Sequence, residues 1–346
     1  MMRLPELIIL DIGHGNCAIL QDTNAVTVID CPPPSTLVDI LERLGIDTID
    51  HILISHSDWD HTGGLPNLLD EITVRNVYIN PDANNTSKVW VDIRHALQLA
   101  EDRGTVIHTS LTSTLSKKII SGQVEIEILA PSSGVALGGA GGLDLDSRKQ
   151  TSNTMSVVIG LMHDSSRVTL FPGDMSEHGL DNLLKKQQNI EAQILVFPHH
   201  GGSPGNKNGY AFAQKLCNLV KPNLVVFSLG RNHHFGPNQD ENPRDDIMKG
   251  VVSAIPSAHI MCTQLSAKCA AKEPTSDFSH LTNLPARGFL SNGCCGGTIL
   301  IRINGKRTSY FPLRSLHRAF ISDTTKVPTP MCLRYLSLSR NPNSSS

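Results

Sequence analysis

Nowhere does this sequence run apolar for the roughly 20 residues a helix needs to cross a bilayer. The N-terminal stretch "MMRLPELIILDIGHG" is too short an apolar run for a secretory signal, and Asp11 interrupts it. No membrane partner is expected, and the expected compartment is the cytoplasm. The eight cysteines are scattered and none sits in a C-x-x-C pair, so a reducing cytoplasm would keep most of them as thiols. Strong net charge is lacking too. The formal charge of −2 over 346 residues excludes a broad basic field for nucleic acid across the whole chain. No repeat recurs at fixed spacing. With 39% hydrophobic and 18% charged residues, the chain is not a largely disordered one.

The charge is unevenly spread. From residue 301 onward, Arg302, Lys306, Arg307, Arg314, Arg318, Lys326, Arg334 and Arg340 face a single acid, Asp323, which leaves the first 300 residues acidic. This end reads as a solvated basic tail; the alternative is a phosphate-contacting patch.

Short strands and helices alternate through the first third. "ELIILDI" (6–12), "CAILQD" (17–22) and "AVTVID" (25–30) read as strands. "STLVDILERLGI" (35–46) reads as a helix stopped by Gly45. "HILISH" (51–56) is a buried strand, and the helix of "LPNLLDEI" starts with Pro66 in its first turn. "KVWVDIRHALQLAEDRG" (88–104) is an amphipathic helix. "QVEIEILAP" (123–131) alternates as a strand, and the glycine-rich stretch 132–147 reads as a flexible loop. Residues 155–174 form a hairpin turning near Asp164-Ser165. Strands at 193–200 and 223–230 alternate with helices, and a last hairpin turns at Asn304-Gly305. After about 313 no periodicity is clear, and a loose end is expected. Two mixed sheets packed face to face with helices outside would suit this rhythm.

Polar residues close several apolar runs. "SHSDWDHTGG" (55–64) packs His56, Asp58, Asp60 and His61 into six residues behind "HILI". Asp174 closes "VTLFPG", and His199 and His200 close "ILVFP". Strands hold such residues firmly while their loops leave room for substrate. Buried carboxylates and imidazoles need partners, which a metal supplies. Any one of them alone would be satisfied by ordinary hydrogen bonds; the set together points to a metal site.

These stretches resemble the metallo-β-lactamase superfamily, whose loop is usually written H-x-H-x-D-H. The aspartate at the second ligand position is most similar to the ComEC-like competence-protein hydrolase domains. "LDIGHGNCAIL", "VTVIDCP", "SNTMSVVI", "TLFPGDM", "LVFPHHGGS" and "VVFSLGRNHHFG" follow in the family's order, covering roughly residues 6 to 236. The resemblance implies an α+β fold, an αββα sandwich of two mixed β-sheets flanked by helices. It implies a hydrolase domain over 1–312, with a cysteine-containing insertion at 263–293, and a basic tail over 313–346. It also implies two divalent metal ions, with His56 and Asp58 on one and Asp60 and His61 on the other. Asp174 would bridge them, and either His199 or His200 would complete the second site. Asp30 would order the loop rather than bind metal. A water between two metals about 3.5–4 Å apart would become the nucleophile, which makes Asp60 and Asp174 the expected catalytic carboxylates.

Two departures matter. Asp58 is a harder ligand than imidazole and shifts preference from zinc alone towards manganese or a mixture. A Gly-His-Pro expected after the late strand is replaced by "FGPNQ" (235–239). His233 and His234, just upstream, either polarise a phosphate and protonate a leaving group or belong to an exposed loop. Asn153 is a candidate either to complete the His56 site or to position substrate, His14 is a candidate substrate contact, and Trp59 either stacks on a base or sugar or packs. Cys262, Cys269, Cys294 and Cys295, with His280 nearby, form a possible structural zinc site against which their spacing argues. Cys17, Cys31 and Cys217 read as core thiols.

The leading expectation is a metal-dependent phosphodiesterase or nuclease acting on DNA or RNA. The alternatives are a hydrolase of a small phosphodiester, cyclic nucleotide or lactone, and a metal-stabilised scaffold without turnover. The acidic first 300 residues favour a small substrate unless the basic end or a protein partner supplies phosphate contacts.

Overall fold

Along Glu6–Ile9 (β1), Leu7 and Ile9 belong to one buried cluster while Ile8 belongs to another. A strand sends successive side chains to opposite faces, so one strand with no polar face must be covered on both sides. The same division runs through the molecule and creates its layers.

The structure, a computed structural model, describes residues 4–33, 36–115, 118–205, 208–231, 241–270, 278–324 and 329–340. The first sheet contains β1, Ala18–Asp22 (β2), Ala25–Ile29 (β3), Thr48–Leu53 (β4), Thr73–Tyr78 (β5) and Val106–His108 (β6). Ile119–Ser121 (β7), Val124–Ala130 (β8), Val158–His163 (β9), Ser166–Phe171 (β10), Ile194–Val196 (β11), Leu224–Phe227 (β12) and His259–Cys262 (β13) build the second. Ile299–Arg302 (β14) and Ser309–Phe311 (β15) return to the first. The helices are Thr36–Arg43 (α1), Trp59–Thr62 (α2), Leu65–Glu71 (α3), Lys88–Asp102 (α4), Ser133–Gly138 (α5), Glu177–Leu184 (α6), Gly209–Val220 (α7), Asp245–Ala254 (α8), Arg314–Thr324 (α9) and Met331–Arg340 (α10).

The strand orders are β15-β14-β1-β2-β3-β4-β5-β6 and β13-β12-β11-β10-β9-β8-β7. Both sheets are mixed. β3 to β6 run parallel, as do β10 to β13, and the other pairs are antiparallel. Leu7, Leu20, Leu53, Ile159, Phe171, Val196 and Val226 fill the space between the sheets. α1, α3 and α4 cover the outer face of the first sheet through Leu37, Ile40, Leu68, Trp90 and Ile93. α6, α7 and α8 cover the second through Leu180, Phe212, Leu216 and Val251. This is the expected αββα sandwich.

Local differences from the sequence reading have physical causes. The stretch 132–147 is not a flexible loop throughout. It begins with α5, and the Asp144 carboxylate then gathers the backbone N–H groups of Asp146 and Arg148 and the His178 ring. The last hairpin does not reverse in two residues. A 3₁₀ turn at Gly305–Arg307 intervenes, with Gly305 donating to His163 and accepting from Gln193. The described residues beyond 313 are not loose: α9 and α10 pack onto the second sheet's outer core through Phe320, Ile321, Met331 and Tyr335, while the expected loose end at 341–346 lies outside the described residues. The basic residues from 301 onward are partly spent on tertiary contacts, since Arg302 pairs with Glu6 and Arg334 with Asp245.

Candidate metal centre

Five parallel strands end at one edge, and each delivers a polar residue just past its last hydrogen bond. Asp30 follows β3, His56 follows β4, Asp174 follows β10, His199 and His200 follow β11, and Ser228 follows β12. Such carboxyl ends of parallel strands are where open sheets place their sites. Tight turns make the delivery possible. Asp30, His199 and His200 adopt left-handed backbone with φ of 59°, 53° and 54°. Gly173 also has positive φ, and a Cβ there would lie 2.9 Å from the Ser55 Cβ, so this turn presses against the loop that carries His56. α2, unforeseen in the sequence, folds residues 59–62 so that His61 points inward and is fully buried.

Asp174 sits between two sets of groups. Its Oδ1 lies 3.0 Å from His61 Nε2 and 3.5 Å from His200 Nε2. Its Oδ2 lies 3.9 Å from His56 Nε2 and 3.8 Å from His199 Nε2. Asp60 Oδ2 is 3.2 Å from His200 Nε2 and 4.0 Å from His61 Nε2, and Asp58 Oδ2 is 3.5 Å from His56 Nε2. Ligand atoms of Asp60, His61, Asp174 and His200 all fall within 4.8 Å of one another. His200, not His199, joins that group; His199 lies on the more open side near Asp58, with side chains 30% and 40% exposed.

The imidazoles are held from behind. His61 Nδ1 meets Asp30 Oδ2 at 2.7 Å, His200 Nδ1 meets the Ser228 carbonyl at 2.6 Å, and His199 Nδ1 meets the Ser203 carbonyl at 2.8 Å. His56 Nδ1 meets Ser55 Oγ at 2.9 Å. An acceptor at Nδ1 fixes the tautomer and leaves the Nε2 lone pair aimed at the centre. Among the described residues, the Nε2 atoms of His56, His61 and His200 and the Asp174 Oδ1 are buried without a hydrogen-bond partner. Buried polar atoms are rarely left so, and a divalent cation among these carboxylates and imidazoles is the partner their chemistry fits. Without an ion, burial opposes the ionisation of Asp174, but the fields of His61 and His200 outweigh it and hold the carboxyl well below its ordinary range. Burial likewise works against protonation of His61, yet Asp174 and Asp30 push its pKa well above the ordinary value. A buried anionic centre that attracts protons this strongly has the electrostatics to attract a metal cation instead.

The other expected residues fall as follows. Asp30 is fully buried and spends its carboxylate on His61, Ser55 and Asn16. His14 reaches the centre, with Nε2 3.5 Å from Asp60 Oδ2 and its ring 4.5 Å from that of His200. Trp59 is 53% exposed beside Asp58, so it is not simply a packing residue. Asn153 uses its carbonyl to accept from Ser176 N, and no side-chain contact brings it to the cluster among the described residues. His233 and His234 lie outside the described residues.

The described residues give no support to a zinc site at the four cysteines, against which their spacing argued. Cys294 turns towards Asp11 Oδ2 at 3.5 Å, Cys295 Sγ meets His317 Nε2 at 3.1 Å, and His280 binds the Cys295 carbonyl. Among the described residues, no cluster of three ligand groups forms there. Cys17, Cys31 and Cys217 are buried as core thiols.

Sequence reasoning missed Asp82, a buried carboxylate that accepts from Ser57 Oγ at 2.5 Å and Ser152 Oγ at 2.9 Å. It ties the metal loop to the segment before β9. It also missed the tethering role of Asp11, whose one signal was its place inside an apolar strand.

Residues 10–144 match the family model described as the metallo-beta-lactamase superfamily. The chain is 22% identical over 252 residues to ComE operon protein 3 of Bacillus subtilis (strain 168), covering 66% of this chain and 29% of that protein. It thus spans under a third of that relative's length. Among solved structures it is similar to the metallo-beta-lactamase fold protein YhfI from Bacillus subtilis, with TM-score 0.46, 13% identity, and coverage of 75% of this chain and 96% of that one. It is also similar to Igni18, a metallo hydrolase from the archaeon Ignicoccus hospitalis, with TM-score 0.44, 13% identity, and coverage of 74% and 94%. No helix among the described residues is long and apolar enough to cross a membrane. In its matched segment, and with two mixed sheets and an edge cluster of aspartates and histidines that could hold metal, the chain is similar to metal-dependent hydrolases of the metallo-beta-lactamase superfamily.

Proposed function

We propose that this protein hydrolyses phosphodiesters with two divalent ions, zinc or manganese, and that its substrate is DNA or RNA. The observation that carries the reading is the placement of Asp174, whose two oxygens face different histidine sets. Asp60, His61, His200 and Asp174 Oδ1 would hold one ion; His56, Asp58, His199 and Asp174 Oδ2 would hold the other. Bound there, the ions supply Lewis acidity towards a phosphoryl oxygen and make a water more acidic, chemistry suited to in-line displacement at phosphorus.

The chain's own groups do the rest. Ser228 and Asp30 keep the His200 and His61 rings from rotating, so the centre is organised before substrate arrives. Three aspartates at the cluster favour hard divalent ions over a purely zinc-specific set. Asp58 and His199 form its more open side, and Trp59 beside them offers an exposed ring on which a base or sugar can stack. The nucleic-acid part also draws on the similarity to the ComEC-like hydrolase domains.

The test uses purified protein with manganese or zinc. Linear DNA or RNA should be cleaved, and Asp60→Ala and His61→Ala should abolish cleavage. Turnover of bis(p-nitrophenyl) phosphate with no nucleic-acid cleavage would narrow the substrate to small phosphodiesters. Two bound ions with no hydrolysis of either substrate would overturn the enzymatic reading.

A further inference from the structure

The buried Asp11 carboxylate fastens a distant segment to the mouth of the metal centre. It is 0% exposed, and burial raises its pKa despite its hydrogen bonds. Oδ1 accepts from Gln264 Nε2 at 2.7 Å and from Gly13 N at 3.3 Å. Oδ2 accepts from Gly288 N at 2.9 Å and Cys294 Sγ at 3.5 Å. The Asp11 carbonyl accepts from Arg287 N at 2.9 Å. A buried carboxylate with so many donors pins backbone position, here that of 287–288 against the turn carrying Gly13 and His14.

This tether decides where Arg287 goes. Its stem and guanidinium lie across Gly13, with Cδ 3.1 Å, Nε 3.4 Å and Cζ 3.8 Å from where a Cβ on Gly13 would sit. Gly13 has φ of +87°, so the turn favours glycine and leaves that space open. The next residue, His14, contacts Asp60. Arg287 is exposed and makes no side-chain hydrogen bond or ion pair among the described residues. Nearby Arg231 differs: its guanidinium is spent on the Leu265 and Ala270 carbonyls. A cation beside a carboxylate-rich centre would ordinarily pair with one of its acids. This one lies over Gly13, one residue from the His14 that contacts Asp60, and is unpaired among the described residues.

We propose that Arg287 is a specificity-determining residue that binds the non-bridging oxygens of the substrate's phosphate. A guanidinium presents a planar fork of donors that matches a phosphate's paired oxygens, which an ammonium does not. The inference rests on the phosphodiesterase reading and extends it. A neutral ester or lactone offers this arm no anionic group, so the arm selects a phosphate ester.

The test compares wild type, Arg287→Ala, Arg287→Lys and, as a control, Arg43→Ala at the far end of α1. Metal-loaded proteins are titrated with inorganic phosphate by calorimetry and assayed on bis(p-nitrophenyl) phosphate and p-nitrophenyl acetate. Arg287→Ala should weaken phosphate binding and raise the phosphodiester KM about tenfold or more, as charge-assisted bonds of this kind warrant. Its kcat should stay within a few-fold, and acetate hydrolysis should not change. Arg287→Lys should recover part of the loss, and Arg43→Ala should match wild type. Phosphate affinity and KM indifferent to position 287 would overturn the proposal while leaving the phosphodiesterase reading standing. Phosphate binding that depends on Arg287, in a protein that cleaves no phosphodiester, would uphold the arm and overturn the reading.

Discussion

Asp30 accepts the Nδ1–H of His61 at 2.7 Å, while the same ring turns its Nε2 to Asp174 at 3.0 Å. The imidazole is clamped between a supporting carboxylate and a candidate metal ligand. Asp30→Ala should therefore lower metal affinity about 10- to 100-fold, as loss of such outer partners does. Calorimetric metal titration of the variant checks this, and unchanged affinity would show that Asp30 serves the loop alone.

Among the described residues, Asp174 is the one that faces both histidine sets. Asp174→Ala should bind fewer ions per chain than wild type, measured by mass spectrometry, and should lose phosphodiester turnover. Because ions that bind only the folded state stabilise it by mass action, chelation should lower the wild-type melting temperature. The same treatment should move the Asp174→Ala variant less.

His259 supplies a pH test away from the metal centre. Burial, then His317, Arg314 and Arg318, push its pKa down to about 3. It is flanked by Tyr310 and by His317, with Nε2 2.9 Å from His317 Nδ1. Between the ordinary histidine value of about 6.5 and about 3, the unfolded chain holds a proton that the folded chain refuses. Stability should fall as pH drops through that window, by up to about 1.4 kcal/mol per pH unit from this group. Denaturant melts of wild type and His259→Phe from pH 7 to pH 4 test it; the variant's pH profile should be flatter.

The C-terminal helices should prove structural. Met331 is fully buried in the second sheet's outer core, and Met331→Ala should cost about 2–5 kcal/mol, as such core truncations do. Urea unfolding gives the value. A change under about 0.5 kcal/mol would mean that α10 contributes little to the fold.

Legibility followed distance along the chain. His56, Asp60, His61, Asp174 and the His199-His200 pair were readable because each ends an apolar run, and strand ends converge when parallel strands stack. The side chosen by each of His199 and His200 was not readable, since it depends on two consecutive left-handed residues and on the Ser203 and Ser228 carbonyls. α9 and α10 escaped notice because only scattered residues such as Phe320 and Met331 face the core, too few to set up a visible period. Asp82 and Asp11 escaped because the partners of their carboxylates lie up to 283 positions away.

The cluster straddles a seam. Asp30, His56, Asp60 and His61 hang from one sheet, while Asp174, His199 and His200 hang from the other. Neither half of the chain holds a complete set of candidate ligands, and each ion would draw on both banks. Uptake of an ion across the seam would therefore report that the two sheets have docked in register. In a cell with scarce free metal, a misassembled chain would stay empty and inert rather than become an unregulated hydrolase.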